Sequence, residues 1–141
     1  MNDGPRPRQG RWWLLLAGAC LLASTAVLVW GFIGDLSTGK EGDWSSRLVP
    51  AITLPRAAQR LISAGALVVA VASSVALTIA FASKRADPRW VRVILPLLVC
   101  AFLIGYGQRV LSAKVYGANI GGGLLIMFGG PLFVFLLIIA V

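Results

Sequence analysis

The chain holds 141 residues, of which 58% are hydrophobic and 13% charged, with a net charge of +8, two cysteines and no histidine. That charge share is roughly half of what a soluble domain carries, and the length leaves room for one domain. The missing histidine excludes imidazole ligation of haem or zinc and imidazole base catalysis; the basic residues form no aromatic-studded stripe of the sort nucleic-acid binding requires.

Asp, Glu, Lys and Arg are absent from four windows: 12–34, 61–83, 93–108 and 115–141. A helix rises about 1.5 Å per residue and a bilayer core is about 30 Å thick. Three of the windows can cross that core and the window 93–108 nearly does. The expected fold is therefore all-α, an integral membrane four-helix transmembrane bundle. A disordered cytoplasmic tail is expected over 1–11 and a single transmembrane domain over 12–141. Its spans are about 12–33, 61–83, 90–108 and 120–141, with an outer loop over 34–60.

The tail MNDGPRPRQGR mixes Pro, Gly and charge without an apolar run, a composition that cannot bury enough surface to order itself. Arg6, Arg8 and Arg11 precede the first window, and Ser24-Thr25-Ala26 could serve as a cleavage site. The apolar run nevertheless continues to Ile33, longer than the ~7–15 residues of a signal h-region, so a retained span is expected. Trp12 and Trp13 at one end and Trp30 at the other match two interfacial aromatic belts. Gly31 and Gly34 loosen the exit.

The loop that follows begins polar, GDLSTGKEGDWSS, and continues as RLVPAITL, apolar but broken by Pro50. This second half suits a membrane surface or a cover over the helix ends. Helix two starts near Thr53-Leu54-Pro55 and reaches Ser83, with Arg56 and Arg60 four apart on one face. In the tight basic turn 84–90, Asp87 is a good N-cap and Pro88 a good first helical residue. Helix three crosses from about Trp90. Its bounding Arg92 and Arg109 are expected to snorkel, and Pro96 to bend it near its entry. Span four begins Gly121-Gly122-Gly123 and is interrupted by Gly129-Gly130-Pro131, which predicts a kink or local unwinding near 127–131.

With the N-terminus in the cytoplasm, Arg6, Arg8, Arg11, Lys84, Arg85, Arg89 and Arg92 lie inside. Lys40, Arg47, Arg56, Arg60, Arg109 and Lys114 lie outside, together with Asp35, Glu41 and Asp43. The positive-inside rule favours this orientation, chiefly through the crowding of 84–92. The expected location is the bacterial cytoplasmic (inner) membrane, multi-pass, with both termini cytoplasmic. The bacterial part rests on the Ala/Leu/Val/Gly/Arg-rich composition alone.

Three features are candidates for function. Helix two carries Ala66, Ala70 and Ser74, and Ala72, Ala76 and Ala80, in rows four apart. Span four pairs Gly117 with Gly121, Gly122 with Gly129 and Gly123 with Gly130. Rows of small residues let helices approach closely, within one bundle or between subunits. A candidate helix-packing interface is therefore Ala66, Ala70, Ser74, Ala72, Ala76, Ala80, Gly121, Gly122, Gly129 and Gly130. The glycines of span four also suit a hinge or an unwound segment of the kind that faces solutes in transporters. The third feature is an outer basic rim, Arg56, Arg60, Arg109 and Lys114, with Gln59, Tyr106, Gln108 and Tyr116 beside it; it can anchor the ends or meet an anionic lipid.

Cys20 and Cys100 sit in apolar windows and read as small packing residues. No carboxylate lies within a span, where a proton- or cation-coupled transporter usually places one. No catalytic pair can be assembled in the membrane. No catalytic residue, cofactor or metal is expected. The expected partners are the lipid bilayer, other membrane subunits or further copies of the chain, possible anionic lipid, and no nucleic acid. The composite expectation is a small polytopic membrane protein, not an enzyme, acting as an accessory or scaffold subunit through helix packing. The alternative is a small homo-oligomeric channel or transporter for a neutral or anionic solute.

Overall fold

A computed structural model describes residues 12–37, 45–46, 48–52, 54–84, 86–87, 89–116 and 120–140. The tail 1–11 and the loop residues Lys40, Glu41, Asp43, Trp44 and Arg47 lie outside the described residues, as does Gly117.

Four helices are long and apolar enough to cross a membrane. They are α1 (Trp12–Ile33), α2 (Arg56–Ala82), α3 (Arg89–Ser112) and a fourth span, Ile120–Ala140. The fourth span is composed of α4 (Ile120–Leu124), a π-helical turn (Leu125–Gly129) and α5 (Gly130–Ala140). Two short strands, β1 (Ser45–Ser46) and β2 (Val115–Tyr116), pair antiparallel. The expected all-α membrane bundle is what the chain forms.

Its helices have an order in space. α1 packs against both α2 and α3, and the fourth span packs on α3. The row runs α2, α1, α3, fourth span, and among the described residues the backbone of α2 approaches neither α3 nor the fourth span. The end of α1, the start of α2, the end of α3 and the start of the fourth span share one end of the row, here the loop face. The end of α2 and the start of α3 mark the other end, the turn face.

Local chemistry sets the helix limits. α1 ends where Gly34 takes φ +68, the left-handed conformation that closes helix C-termini and that glycine adopts without penalty. α2 ends on Lys84, which adopts φ +53 although it is not glycine. The Lys84 amide donates to the Phe81 carbonyl and the Ala86 amide to the Ala80 carbonyl, at 3.1 and 3.2 Å. With the Ser83 amide on the Ile79 carbonyl, these bonds satisfy three of the last four carbonyls of α2 around the left-handed residue. α3 starts with the Asp87 carboxylate accepting the Arg89 amide at 2.9 Å, an N-cap. Pro96 lies inside α3, which continues through it.

The Gly-rich fourth span does not unwind. At the point where a kink was expected it widens into one π-helical turn, and Gly130 continues in helical φ −62, ψ −56. Pro131 supplies no amide to the ladder, and a π-turn absorbs one residue without exposing the backbone to lipid. On the turn face, Leu14, Leu77, Ala80 and Ala86 form a small core, with Trp13, Phe81 and Ile94 packed against it.

Candidate functional site

The polar chemistry of this chain concentrates at the loop face, around the C-terminal turn of α1. The last four carbonyls of any helix lack an intrahelical partner, and in hydrocarbon each unsatisfied group costs several kcal/mol. Two of these carbonyls receive side chains from the two flanking helices. Arg109 of α3 donates its Nε–H to the Trp30 carbonyl at 2.6 Å. Gln59 of α2 donates its amide to the Gly31 carbonyl at 3.3 Å. Three helices are thus tied together at one turn.

Arg109 is the central residue. It is 9% exposed, and so is Trp30. The guanidinium carbon stands 4.2 Å from the centroid of the Trp30 ring. A cation on an aromatic face is worth up to about 2 kcal/mol when desolvated. A hydrogen bond from a charged donor adds about 1.5–3 kcal/mol. The positive head also meets the negative end of the α1 dipole, and Asp35, just beyond α1, acts on it electrostatically. These interactions offset the cost of drawing a cation inward, which is why Arg109 turns into the row rather than snorkelling out of it. Trp30 correspondingly lies beneath Arg109.

Close backbone approach permits this geometry. A Cβ on Gly105, one turn from Arg109, would collide with the Ala26 carbonyl oxygen and stand 2.9 Å from Val29 Cβ. Ala101, Gly105, Arg109 and Ser112 are all buried on the α3 surface that follows this seam. Another side of α3 meets the fourth span: the Cys100 thiol approaches the Phe133 carbonyl at 3.8 Å, and a Cβ on Gly107 would meet Leu125 at 3.2 Å. Cys20 and Cys100 are both free thiols.

The loop folds down on the same end. Leu48 and Val49 amides both donate to the Leu111 carbonyl at 3.2 Å, capping α3. The Lys114 amide donates to Ser37 Oγ at 2.9 Å, and the Ser37 amide to the Asp35 carboxylate at 3.0 Å.

Four buried polar atoms in this region find no partner among the described residues: Trp30 Nε1, Ser63 Oγ, Gln108 Oε1 and Arg109 Nη2. All belong to residues within about two turns of the loop-face helix ends. Elsewhere the hydroxyls turn back on their own helices: Ser24 and Thr25 donate to the Leu21 carbonyl and Thr78 to the Ser74 carbonyl. Those three therefore present no free donor to a passing solute.

Three grooves adjoin the polar end. One of about 340 Å³ lies between α3 and the π-turn, lined by Gly107, Gln108, Leu125, Gly129 and Phe133 among others. Another of about 310 Å³ is apolar, lined by Trp30, Ile52, Leu54, Ile62, Gly105 and Gln108 among others, so Ile52 and Leu54 of the loop lie beside the helix flanks here. The third, about 440 Å³, lies between the end of α1 and the start of α2, lined by Gly31, Phe32, Arg56, Gln59, Arg60 and Ser63.

The residues singled out from sequence fall in separate places. On α2 the seam toward α1 runs Gln59, Ser63, Ala66, Ala70, Ser73, Leu77, Ala80, none of them exposed, in alternating steps of four and three. It draws from both rows of small residues. Ala72 and Ser74 are exposed and Ala76 half-buried. In span four Gly122 is buried, Gly129 half-buried, and Gly121 and Gly130 exposed. The rim divides likewise: Arg56 and Arg60 are exposed, Lys114 half-buried and Arg109 buried. Gly105 and Trp30 were not among the candidate residues. The small-residue spacing Ala101-x3-Gly105 was the signal for the first. Among the described residues, no group of three or more His, Cys, Asp or Glu is placed to hold a metal ion.

No family model, curated protein or solved structure matches this chain.

Proposed function

We propose that this chain is a non-catalytic accessory or scaffold subunit of a bacterial cytoplasmic membrane, acting through helix–helix packing and performing no reaction of its own. The observation that carries the reading is the open row of helices. Among the described residues the fourth span packs on α3 alone, so most of its apolar surface, with Gly121 and Gly130, is exposed. α2 turns Ala72 and Ser74 outward in the same way. Helices with small outward residues can be joined closely by a further helix.

The test is native mass spectrometry of the tagged protein, extracted in mild detergent at native expression. A stoichiometric larger partner is expected, lost on Ala72→Leu or Gly130→Leu while membrane insertion persists. Ala70→Leu is the contrast, because Ala70 lies in the internal seam and its enlargement damages the fold itself. Recovery of the chain alone, as a monomer or a homo-oligomer, overturns the reading.

A second reading, a small homo-oligomeric channel or transporter for a neutral or anionic solute, draws support from one feature. The π-turn borders the groove that holds Gln108, and π-turns recur at functional sites. That reading requires solute flux in liposomes that responds to Gly129→Leu. Liposomes that stay tight to every solute class tested rule it out.

A further inference from the structure

We infer that the cavity between the C-terminal end of α1 and the first turns of α2 is a binding site for the phosphate headgroup of an anionic membrane lipid. The cavity measures about 440 Å³ and is lined by Gly31, Phe32, Arg56, Gln59, Arg60 and Ser63. Arg56 and Arg60 stand one turn apart, so both guanidinium groups reach the same side of α2. The first turn of α2 contains no acidic residue, and its N-cap, Pro55, makes no side-chain cap. The amides of that turn present partial positive charge to the same region, opposed by the negative end of the α1 dipole, where Gln59 already occupies the Gly31 carbonyl.

Two details separate this cavity from ordinary charge anchoring at a helix end. Ser63 Oγ is buried beside the cavity and has no partner among the described residues, so its donor is unspent. Its position depends on Gly31, where a Cβ would collide with Ser63 Oγ. Gln59 is fixed at the rim by its bond to the Gly31 carbonyl. The lining thus offers two forked cations, which suit a phosphate better than a compact ammonium does, and one neutral hydroxyl. Phe32, 88% exposed, stands at the mouth and gives an acyl chain an apolar surface. That combination selects a lipid over a free anion. The inference does not depend on whether the chain has protein partners.

The experiment uses the full chain in nanodiscs of phosphatidylcholine with and without phosphatidylglycerol, and counts retained lipids by native mass spectrometry. Retention of phosphatidylglycerol over phosphatidylcholine is expected. Arg56→Gln with Arg60→Gln should weaken it about thirtyfold, from roughly fivefold per arginine. Ser63→Ala should weaken it severalfold with both charges intact. Arg89→Gln with Arg92→Gln removes as much charge from the turn face and should leave the preference in place. Equal loss in the two double variants overturns the site and assigns the preference to net charge. Displacement of the lipid by inorganic phosphate at comparable concentration overturns the lipid as its source.

Discussion

Gly105→Ala adds one methyl group, and the structure says where it must go. The new Cβ would press on the Ala26 carbonyl oxygen, 2.9 Å from Val29 Cβ and 3.1 Å from the Ala26 carbonyl carbon. Carbon atoms rest about 3.5–4.0 Å apart, so α1 and α3 must separate by roughly 0.5–1 Å. The obstacles are backbone and a branched Cβ, neither of which a rotamer change can move aside. Overpacking of this kind costs about 1–3 kcal/mol. The separation also strains the 2.6 Å bond from Arg109 to the Trp30 carbonyl, one turn away. Alanine returns at most about 1 kcal/mol of helix propensity. The net expectation is a loss of about 0–2 kcal/mol, to which the strained bond adds. Gly65→Ala is the matched control, since nothing lies within 4 Å of a Cβ there; it should be neutral or up to about 1 kcal/mol stabilising. Both are read by denaturant titration in mixed micelles with tryptophan fluorescence. If Gly105→Ala proves as stable as Gly65→Ala, the close α1–α3 contact is not the seam described here.

Two further predictions use the same titration. Arg109→Gln removes the charged hydrogen bond and the ring contact together and should cost about 2–4 kcal/mol; Arg109→Lys should recover less than half, because one ammonium cannot serve carbonyl and ring in the same geometry. A cost below about 0.5 kcal/mol for Arg109→Gln would mean that the capping of α1 contributes little. Lys84→Gly relieves a left-handed residue at φ +53 and should stabilise by about 1 kcal/mol; an unchanged or lowered midpoint contradicts the strain assigned to that turn.

The number of long apolar helices is legible in the sequence because it depends on one-dimensional quantities. Uncharged stretches mark the hydrocarbon depth, and Asp87 and Gly34 have short-range stereochemical preferences that act on their own neighbours. Small residues on α2 are likewise visible as rows. Which row faces inward is not, since the observed seam takes Ala66 and Ala70 from one row, Ala80 from the other, and Ser73 and Leu77 from neither. A helix that is apolar on every side carries no amphipathic signal to say where its neighbour lies.

By itself, then, the sequence determined that this chain holds four helices long and apolar enough to cross a membrane, and that it has no imidazole and no carboxylate within its four uncharged windows. Only the tertiary structure decided that the helices stand in a row with the fourth at its edge. It also decided that Gly129-Gly130-Pro131 resolves into a π-turn instead of a break, and that Arg109 points inward while Arg56 and Arg60 remain outside. The reason is that an arginine at a helix end has two comparable destinations, a headgroup layer or an orphan carbonyl on a neighbouring helix. Gly105 brings α3 close enough to α1 for the second to win. That contact joins residues far apart in the chain, and no local preference encodes it.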